Sequence, residues 1–189
     1  IAKGEVELLD AEVEVPEDVK EIAGIEYCNV GGFSLKLDLA LPENADGPVP
    51  GLIFIHGGAW EGGEREIYHL YTYTFARQGY AAATITYRLS HQAKFPAAVE
   101  DAKCAVRWMR AHAEEYGIDP NNIAAIGGSA GGHLAMMVGY SDESDFAGEG
   151  GFQDVSSAVQ AVVNFYGPYD LTTQMAKDSG SVKNFLDAT

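Results

Sequence analysis

Cysteine is scarce in this sequence, which contains only Cys28 and Cys104 among its 189 residues. Two cysteines are too few for the disulfide framework of a small secreted domain, and these two lack the close spacing of zinc ligands. We expect both side chains to be small buried groups, with a single disulfide between them as the alternative.

Basic residues are also few. Lys and Arg number 12 against 28 Asp and Glu, which gives a formal net charge of −16 at pH 7. The phosphates of nucleic acids and the surfaces of anionic membranes repel such a chain. We therefore expect neither of them as a partner, and a small-molecule or polysaccharide-linked substrate fits this charge better.

Long hydrophobic runs are absent as well. The longest apolar stretches, residues 51–55 and 161–167, fall far short of the roughly 20 residues that a membrane-spanning helix needs. The chain starts at Ile1 without a methionine and shows no signal peptide. We expect a soluble protein, either cytoplasmic or secreted with its signal peptide already removed.

What the sequence does contain is enough apolar material for a core. Hydrophobic residues make up 47% of the chain and charged residues 21%, which is the composition of a globular protein. At about 150 residues per domain, a chain of this length is expected to hold one domain.

The pattern of apolar residues predicts an α/β fold. Strands at 25–30 and 33–41 are joined by a two-glycine turn and predict a β-hairpin, after an acidic lead-in strand and turn over residues 1–23. The run at 52–55 is apolar on both faces, as in a central parallel strand. Later elements are expected in alternation: helix 65–78, strand 80–89, helix 96–116, strand 121–128, helix 130–140 and strand 158–167. This order predicts a mostly parallel sheet with an antiparallel leading hairpin and helices on both faces.

The sharpest motif is GGSAG at residues 127–131. It falls where a buried strand is expected to end and a helix to begin, which is the arrangement of a nucleophile elbow. Ser129 would occupy a strained position at the apex, while Gly127 and Gly131 would let strand and helix approach closely. We predict Ser129 as a catalytic nucleophile. The alternative is a glycine-rich turn with an incidental serine.

A second motif, HGGAW at residues 56–60, directly follows the central strand. The backbone N–H groups of Gly57 and Gly58 are free of side-chain obstruction and are predicted to line an oxyanion hole. The third donor would be the N–H of Ala130, the residue after the nucleophile. The alternative for HGG is a tight turn without a catalytic role.

Two aromatic residues are candidates for the substrate pocket. Trp60 closes the HGGAW motif, and Tyr166 lies near the end of the last predicted strand, 158–167. Either side chain would suit the wall of an acyl or alcohol pocket, and a place in the hydrophobic core is the alternative for both.

Taken in order, HGGAW, YRLS, the segment from FPAAVEDA to GGSAGGHLA, and NFYGPYDL resemble a known family. They are similar to α/β-hydrolase esterases of the bacterial carboxylesterase and feruloyl-esterase-like group, related to the hormone-sensitive-lipase-like esterases. The resemblance spans about residues 25–171. It implies an α/β-hydrolase fold, with Ser129 as nucleophile and an oxyanion hole of Gly57, Gly58 and Ala130.

The resemblance also marks residues outside the two motifs. Members with an HGGGW loop have a glycine where this chain has Ala59, which leaves the two leading glycines intact. Arg88 and Asp101 match family positions, and the resemblance implies that they stabilise the fold and are not catalytic groups. Asp170 lies one strand too early to match the family's catalytic acid, so it is interpreted as structural.

None of the histidines comes after the position where the catalytic acid is expected. In this fold the order along the chain is nucleophile, acid, histidine. The five histidines are His56, His69, His91, His112 and His133. His133 lies one helical turn after Ser129 and is interpreted as a packing residue, while His56 is expected to orient the oxyanion loop.

The acidic loop after helix 130–140 is a weak candidate for a metal site. Its carboxylates are Asp142, Asp145, Glu149 and Asp154. They do not match the register of a calcium-binding loop, so a solvated loop is expected. No metal and no organic cofactor is predicted.

The sequence therefore predicts a serine carboxylesterase that hydrolyses short-chain or aryl esters, including acetyl or feruloyl esters of hemicellulose side chains. Residues 1–189 are interpreted as the N-terminal portion of a single α/β-hydrolase domain. A further C-terminal segment or a second polypeptide would supply the catalytic Asp and His. The alternatives are an arylformamidase or peptidase-like amide hydrolase, and a non-catalytic hydrolase-fold binding protein.

Overall fold

The computed structural model describes residues 13–186 of the chain. Within them six strands form one sheet: β1 (Val19–Val30), β2 (Phe33–Pro42), β3 (Val49–Ile55), β4 (Ala81–Ile85), β5 (Ile118–Gly128) and β6 (Ala161–Phe165). The helical elements are a 3-10 turn (Arg65–Tyr68), α1 (His69–Ala76), α2 (Ala97–Ala111), α3 (Ala113–Tyr116), α4 (Ala130–Tyr140), α5 (Gln174–Asp178) and α6 (Gly180–Leu186).

The sheet has the order β1-β2-β4-β3-β5-β6. The β1–β2 hairpin is antiparallel and joins β4 in antiparallel register, whereas β4, β3, β5 and β6 run parallel to one another. Gly31 and Gly32 make the hairpin turn with φ of 58° and 87°, values that favour glycine. The predicted α/β fold with an antiparallel leading hairpin is confirmed.

Helices cover both faces of this sheet. On one face α2 and α4 pack against Ile53 and Ile55 of β3, and on the other α1 lies against β2 and β4. Leu52 and Phe54 of β3 point to this second face, where Phe54 packs against Phe75. The central strand is therefore buried on both sides, as the apolar run at 52–55 predicts.

Several boundaries differ from the expectation, since the strands expected at 80–89, 121–128 and 158–167 are Ala81–Ile85, Ile118–Gly128 and Ala161–Phe165. Residues 1–12 of the expected lead-in strand lie outside the described residues, and β1 begins only at Val19. The helix expected over 65–78 is a 3-10 turn followed by α1. The helix expected over 96–116 breaks at His112, whose backbone leaves the helical region at φ −100° and ψ 15°. Its ring Nδ1 donates to the Trp108 carbonyl (2.8 Å), which the apolar periodicity does not reveal.

A buried ion pair fixes α2 to the end of β4. The Arg88 guanidinium donates to both carboxylate oxygens of Asp101 at 2.7–3.0 Å, and the Arg88 backbone N–H donates to the same carboxylate at 2.8 Å. Asp101 is fully buried. Such a pair fixes geometry because either charge alone would be costly to bury.

The last strand, β6, is the least covered. Among residues 13–186 it pairs only with β5, and its side chains are largely exposed, with Val163 at 38% and Phe165 at 48%. None of the helices in the same part of the chain has both the length and the apolar character needed to cross a membrane.

Candidate active site

Ser129 is the single residue between the last residue of β5 and the first residue of α4. Its backbone has φ 54° and ψ −123°, a conformation that costs a non-glycine residue about 1–3 kcal/mol. Two backbone hydrogen bonds hold it there: its N–H donates to the Phe165 carbonyl (2.9 Å), and its carbonyl accepts from the His133 N–H (3.1 Å). Strand β6 and helix α4 together keep the serine in this strained turn.

Glycines let three backbone segments meet around Ser129. A Cβ on Gly131, at the start of α4, would overlap the carbonyl oxygen of Ile55 at the end of β3, and a Cβ on Gly127 would overlap the carbonyl of Gly131. A Cβ on Gly57 would lie 3.3 Å from the Cβ of Ser129. The loop after β3 is therefore in backbone contact with the serine turn.

His56 fixes the start of that loop. Its ring Nδ1–H donates to the carbonyl of Gly57 at 2.7 Å, because a carbonyl can only accept. The ring stacks on Tyr87 at 4.3 Å, and the Tyr87 hydroxyl donates to the His56 carbonyl at 3.0 Å. Burial lowers the pKa of His56, which keeps the imidazole neutral at pH 7. The ring therefore orients the peptide between Gly57 and Gly58, and the Tyr87 hydroxyl holds the one between His56 and Gly57.

The rest of the loop turns sharply. Gly58, Ala59 and Trp60 all have positive φ, at 117°, 55° and 60°. The N–H groups of Glu61 and Gly62 close the turn by donating to the Gly58 carbonyl. Alanine and tryptophan are strained in this region, which explains why a glycine suits position 59 in related loops.

A cavity of about 590 Å³ opens beside Ser129. Its walls come from the loop, the start of α4 and the segment 168–182: Ala59, Trp60, Ser129, Ala130, Pro168, Tyr169, Asp170, Leu171, Thr173, Met175, Ala176, Ser179, Ser181 and Val182. Most of these groups are apolar, and none of the lining residues in the described part of the chain is a Lys, Arg or His. The Asp170 carboxylate accepts from the N–H and the hydroxyl of Thr172, so it stabilises a turn.

Behind the cavity lies a cluster of three rings. Trp60 stacks on Phe185 of α6 with 4.5 Å between centroids, and His133 meets both rings edge-on at 5.3 and 5.6 Å. His133 is 5% exposed, and its Nδ1 has no hydrogen-bond partner within residues 13–186. Burial lowers its pKa from 6.5 to about 4, so His133 is a neutral packing residue at pH 7.

The buried His133 should make stability depend on pH. Between pH 6.5 and about 4 the unfolded chain binds a proton that the native chain does not, so the free energy of unfolding falls as the pH drops through this range. Above pH 6.5 His133 is neutral in both the folded and the unfolded chain, so its burial lowers the free energy of unfolding only below that pH. This shift in the pKa of His133 lowers the free energy of unfolding by about 3 kcal/mol near pH 4.

Urea unfolding at pH 7 and at pH 4.5 measures this effect. We expect His133→Leu to lose less stability between the two pH values than the parent protein. The exposed His91 supplies the matched control, with His91→Leu measured at the same two pH values. Equal losses in the parent and in His133→Leu would contradict the assignment.

The remaining histidines do not reach the cavity. His69 Nε2 bonds the Asp38 carboxylate at 2.9 Å, His112 contacts Trp108, and His91 lies in an exposed loop. Within residues 13–186 no group of three His, Cys, Asp or Glu side chains comes together, in the acidic loop after α4 or elsewhere.

Of the two aromatic candidates for the pocket, only Trp60 lines the cavity. Tyr166 is not among the residues that line this cavity, and its place in a substrate pocket stays a prediction. Its backbone turns at φ 48° just after β6, its hydroxyl lies beside Gly128, and 83% of the residue is exposed. Sequence reasoning missed the opposite wall at 168–182, because residues 168–171 end the NFYGPYDL motif without a predicted pocket role and the rest has no motif or sustained apolar period.

Comparisons with known proteins agree with this geometry. Residues 37–188 match the BD-FAE family model. The probable carboxylic ester hydrolase LipM of Mycobacterium tuberculosis is 41% identical over 127 residues, which cover 67% of this chain and 29% of LipM. The butyrate-bound esterase Est2 of Thermogutta terrifontis superposes with a TM-score of 0.76 at 30% identity, covering 87% of this chain and 62% of Est2.

The same Est2 phosphonylated by sarin gives a TM-score of 0.77 at 30% identity, covering 96% of this chain and 67% of that one. The chain spans about a third of the length of the curated relatives it matches (29–35%). The family model, by contrast, covers most of the chain, including β3, the serine turn and the cavity wall. The chain belongs to the BD-FAE family of α/β-hydrolase-fold proteins, whose relatives here are carboxylic ester hydrolases.

Proposed function

We propose that this chain carries the nucleophile and oxyanion hole of a serine carboxylesterase. The observation that carries the proposal is the strained turn of Ser129, in backbone contact with Gly57 and open to an apolar cavity. A strained serine between strand and helix is how this fold exposes a nucleophile, and the strain would have no evident purpose in a purely structural turn.

In the proposed reaction Ser129 Oγ attacks the carbonyl carbon of the ester. The negative charge that develops on the carbonyl oxygen is stabilised by the N–H groups of Gly57, Gly58 and Ala130. Ala130 is the first residue of α4, so its N–H has no partner within the helix. The alcohol leaves with a proton, and water then hydrolyses the acyl-serine to release the carboxylic acid.

Activation of Ser129 requires a base that the described cavity does not provide. We propose that a histidine, oriented by an acid, comes from a further C-terminal segment of the same domain or from a second polypeptide. The greater length of the curated relatives supports the first source. The base would take the Ser129 proton during attack and return it to the leaving alcohol.

The apolar lining suggests neutral esters with short acyl or aryl groups. Leu171, Met175 and Val182 offer contact area, and the lining residues described here include no cationic side chain that would attract a charged acid group. Butyrate in the related Est2 supports a short acyl chain. Acetyl and feruloyl esters of hemicellulose remain the candidate natural substrates.

A fluorophosphonate probe tests the proposal. In the full natural polypeptide that carries this sequence, the probe should label the peptide containing Ser129, since it reacts with activated serines and a related esterase is phosphonylated by sarin. Prior denaturation should remove the labelling. Absence of label on Ser129 in the folded protein would favour a non-catalytic binding protein instead.

Labelling does not separate ester from amide hydrolysis. Comparing kcat/KM for p-nitrophenyl acetate, methyl ferulate, an N-formyl arylamine and a peptide p-nitroanilide makes that distinction. The proposal expects the two esters to be turned over fastest. A higher kcat/KM for the formamide or the anilide would reassign the protein as an amide hydrolase with the same nucleophile.

A further inference from the structure

Two thiols meet in the core far from the serine turn. Cys28 lies on β1 and Cys104 on α2, and their sulfur atoms are 2.7 Å apart although 76 residues separate them along the chain. Both are buried, with 5% and 1% of their surface exposed. Carbon atoms in contact are about 3.5–4.0 Å apart, and sulfur is larger, so this distance is shorter than two unbonded thiols require.

The acidic loop between α4 and β6 covers the two thiols and separates them from solvent. Gly150 lies directly over them, because a Cβ there would lie 2.8 Å from the Cys104 sulfur and would also overlap that of Cys28. The loop is fastened to α2 by Lys103, whose ammonium donates to the Asp142 carbonyl at 2.6 Å. Arg107 fastens it further by donating to the Ala147 carbonyl at 2.9 Å.

We propose that Cys28 and Cys104 are a disulfide site that cross-links β1 to α2 when the protein meets a small-molecule disulfide. A cross-link needs two side chains that already face each other, since the bonded sulfurs are about 2.05 Å apart. Here only a small approach of the two sulfurs is needed. The bond would join the edge strand of the sheet to the helix that also holds the buried ion pair of Asp101.

The oxidation balances with glutathione disulfide as oxidant. The Cys28 thiolate attacks one glutathione sulfur, which breaks the glutathione disulfide and releases one glutathione thiol. The Cys104 thiolate then attacks the Cys28 sulfur of the mixed disulfide and releases the second. Two protein thiols are oxidised, and one glutathione disulfide is reduced to two thiols that retain the two protons.

Cys28 is the better first nucleophile. The hydrogen bond from Cys104 lowers the pKa of Cys28, whereas the same interaction raises the pKa of Cys104. The covering loop must open, or the bond must form during folding, for glutathione to reach either sulfur. A folded protein should therefore be oxidised slowly, and a refolding protein quickly.

The experiment compares two routes of oxidation in the full natural polypeptide. One sample is incubated folded with glutathione disulfide, and a second is refolded in a glutathione redox buffer. Each is then denatured, alkylated and analysed by intact mass and non-reducing peptide mapping. We expect the refolded sample to lose two hydrogens, to resist alkylation at both cysteines and to yield a peptide joining Cys28 to Cys104.

Thermal unfolding provides a second readout. A cross-link across a loop of this length should raise Tm by about 5–10 °C over the reduced protein. The matched variants Cys28→Ala and Cys104→Ala should show no difference between oxidising and reducing conditions. The proposal is overturned if both cysteines of the refolded protein are alkylated, or if they carry glutathione without a cross-linked peptide.

Discussion

Ser129→Ala is expected to lower kcat for p-nitrophenyl acetate by about 10³- to 10⁶-fold, because removal of the nucleophile leaves only binding and the oxyanion hole. The fold should survive, since alanine fills the same backbone position and the two hydrogen bonds that hold the turn come from the Ser129 backbone. The measurement is steady-state kinetics on the full natural polypeptide, with circular dichroism as a check of folding.

Ser141 provides the matched control. It follows the last residue of the same helix, α4, and its hydroxyl donates to the Met137 carbonyl at 2.5 Å. Ser141→Ala removes a hydroxyl of the same kind about 17 Å along the helix from Ser129. Its activity should stay within about twofold of the parent. Full activity in Ser129→Ala would rule out the proposed nucleophile.

Gly131→Ala is expected to destabilise the protein by about 2–4 kcal/mol and to reduce kcat/KM by at least roughly 100-fold. Alanine usually stabilises a helix by about 1 kcal/mol over glycine. Here its Cβ would overlap the backbone carbonyl of Ile55 and crowd that of His56 at 2.6 Å. Because neither carbonyl can rotate away, α4 must move from β3 and separate Ser129 from the oxyanion loop.

Gly151→Ala is the comparison for this effect. A Cβ on Gly151 meets no atom within 4 Å, and its backbone has no positive φ. We expect a change of less than about 1 kcal/mol and unaltered kinetics. The free energy of unfolding in urea and kcat/KM are measured for Gly131→Ala and Gly151→Ala. Equal losses in the two variants would mean that backbone overlap at Gly131 is not the cause.

The serine turn was predictable because two independent signals coincide there. The apolar period changes from strand to helix at the GGSAG motif, and the predicted helix 130–140 matches α4 at both ends. The central strand was equally clear, since burial on both faces leaves no room for polar residues. Such features depend on local sequence, which is why pattern analysis finds them.

The features that depend on distant contacts were not predictable. Phe185 stacks on Trp60 from 125 positions away, and the cavity wall at 168–182 faces a loop more than 100 positions earlier in the chain. The helix break at His112 comes with a local contact instead, a hydrogen bond from its ring to the Trp108 carbonyl four residues earlier, which the apolar period does not reveal. Tyr166 has a positive φ of 48° and is 83% exposed, and the residue type at this position predicts neither.

The exposed strand β6 has a practical consequence. Its outer edge pairs with no other strand of residues 13–186 and offers a row of backbone donors and acceptors, flanked by the half-exposed Val163 and Phe165. Such edges pair with the edges of other chains and promote aggregation. The isolated 189-residue polypeptide should therefore be handled dilute and cold, and a charged substitution at Val163 would be the first choice for keeping it in solution.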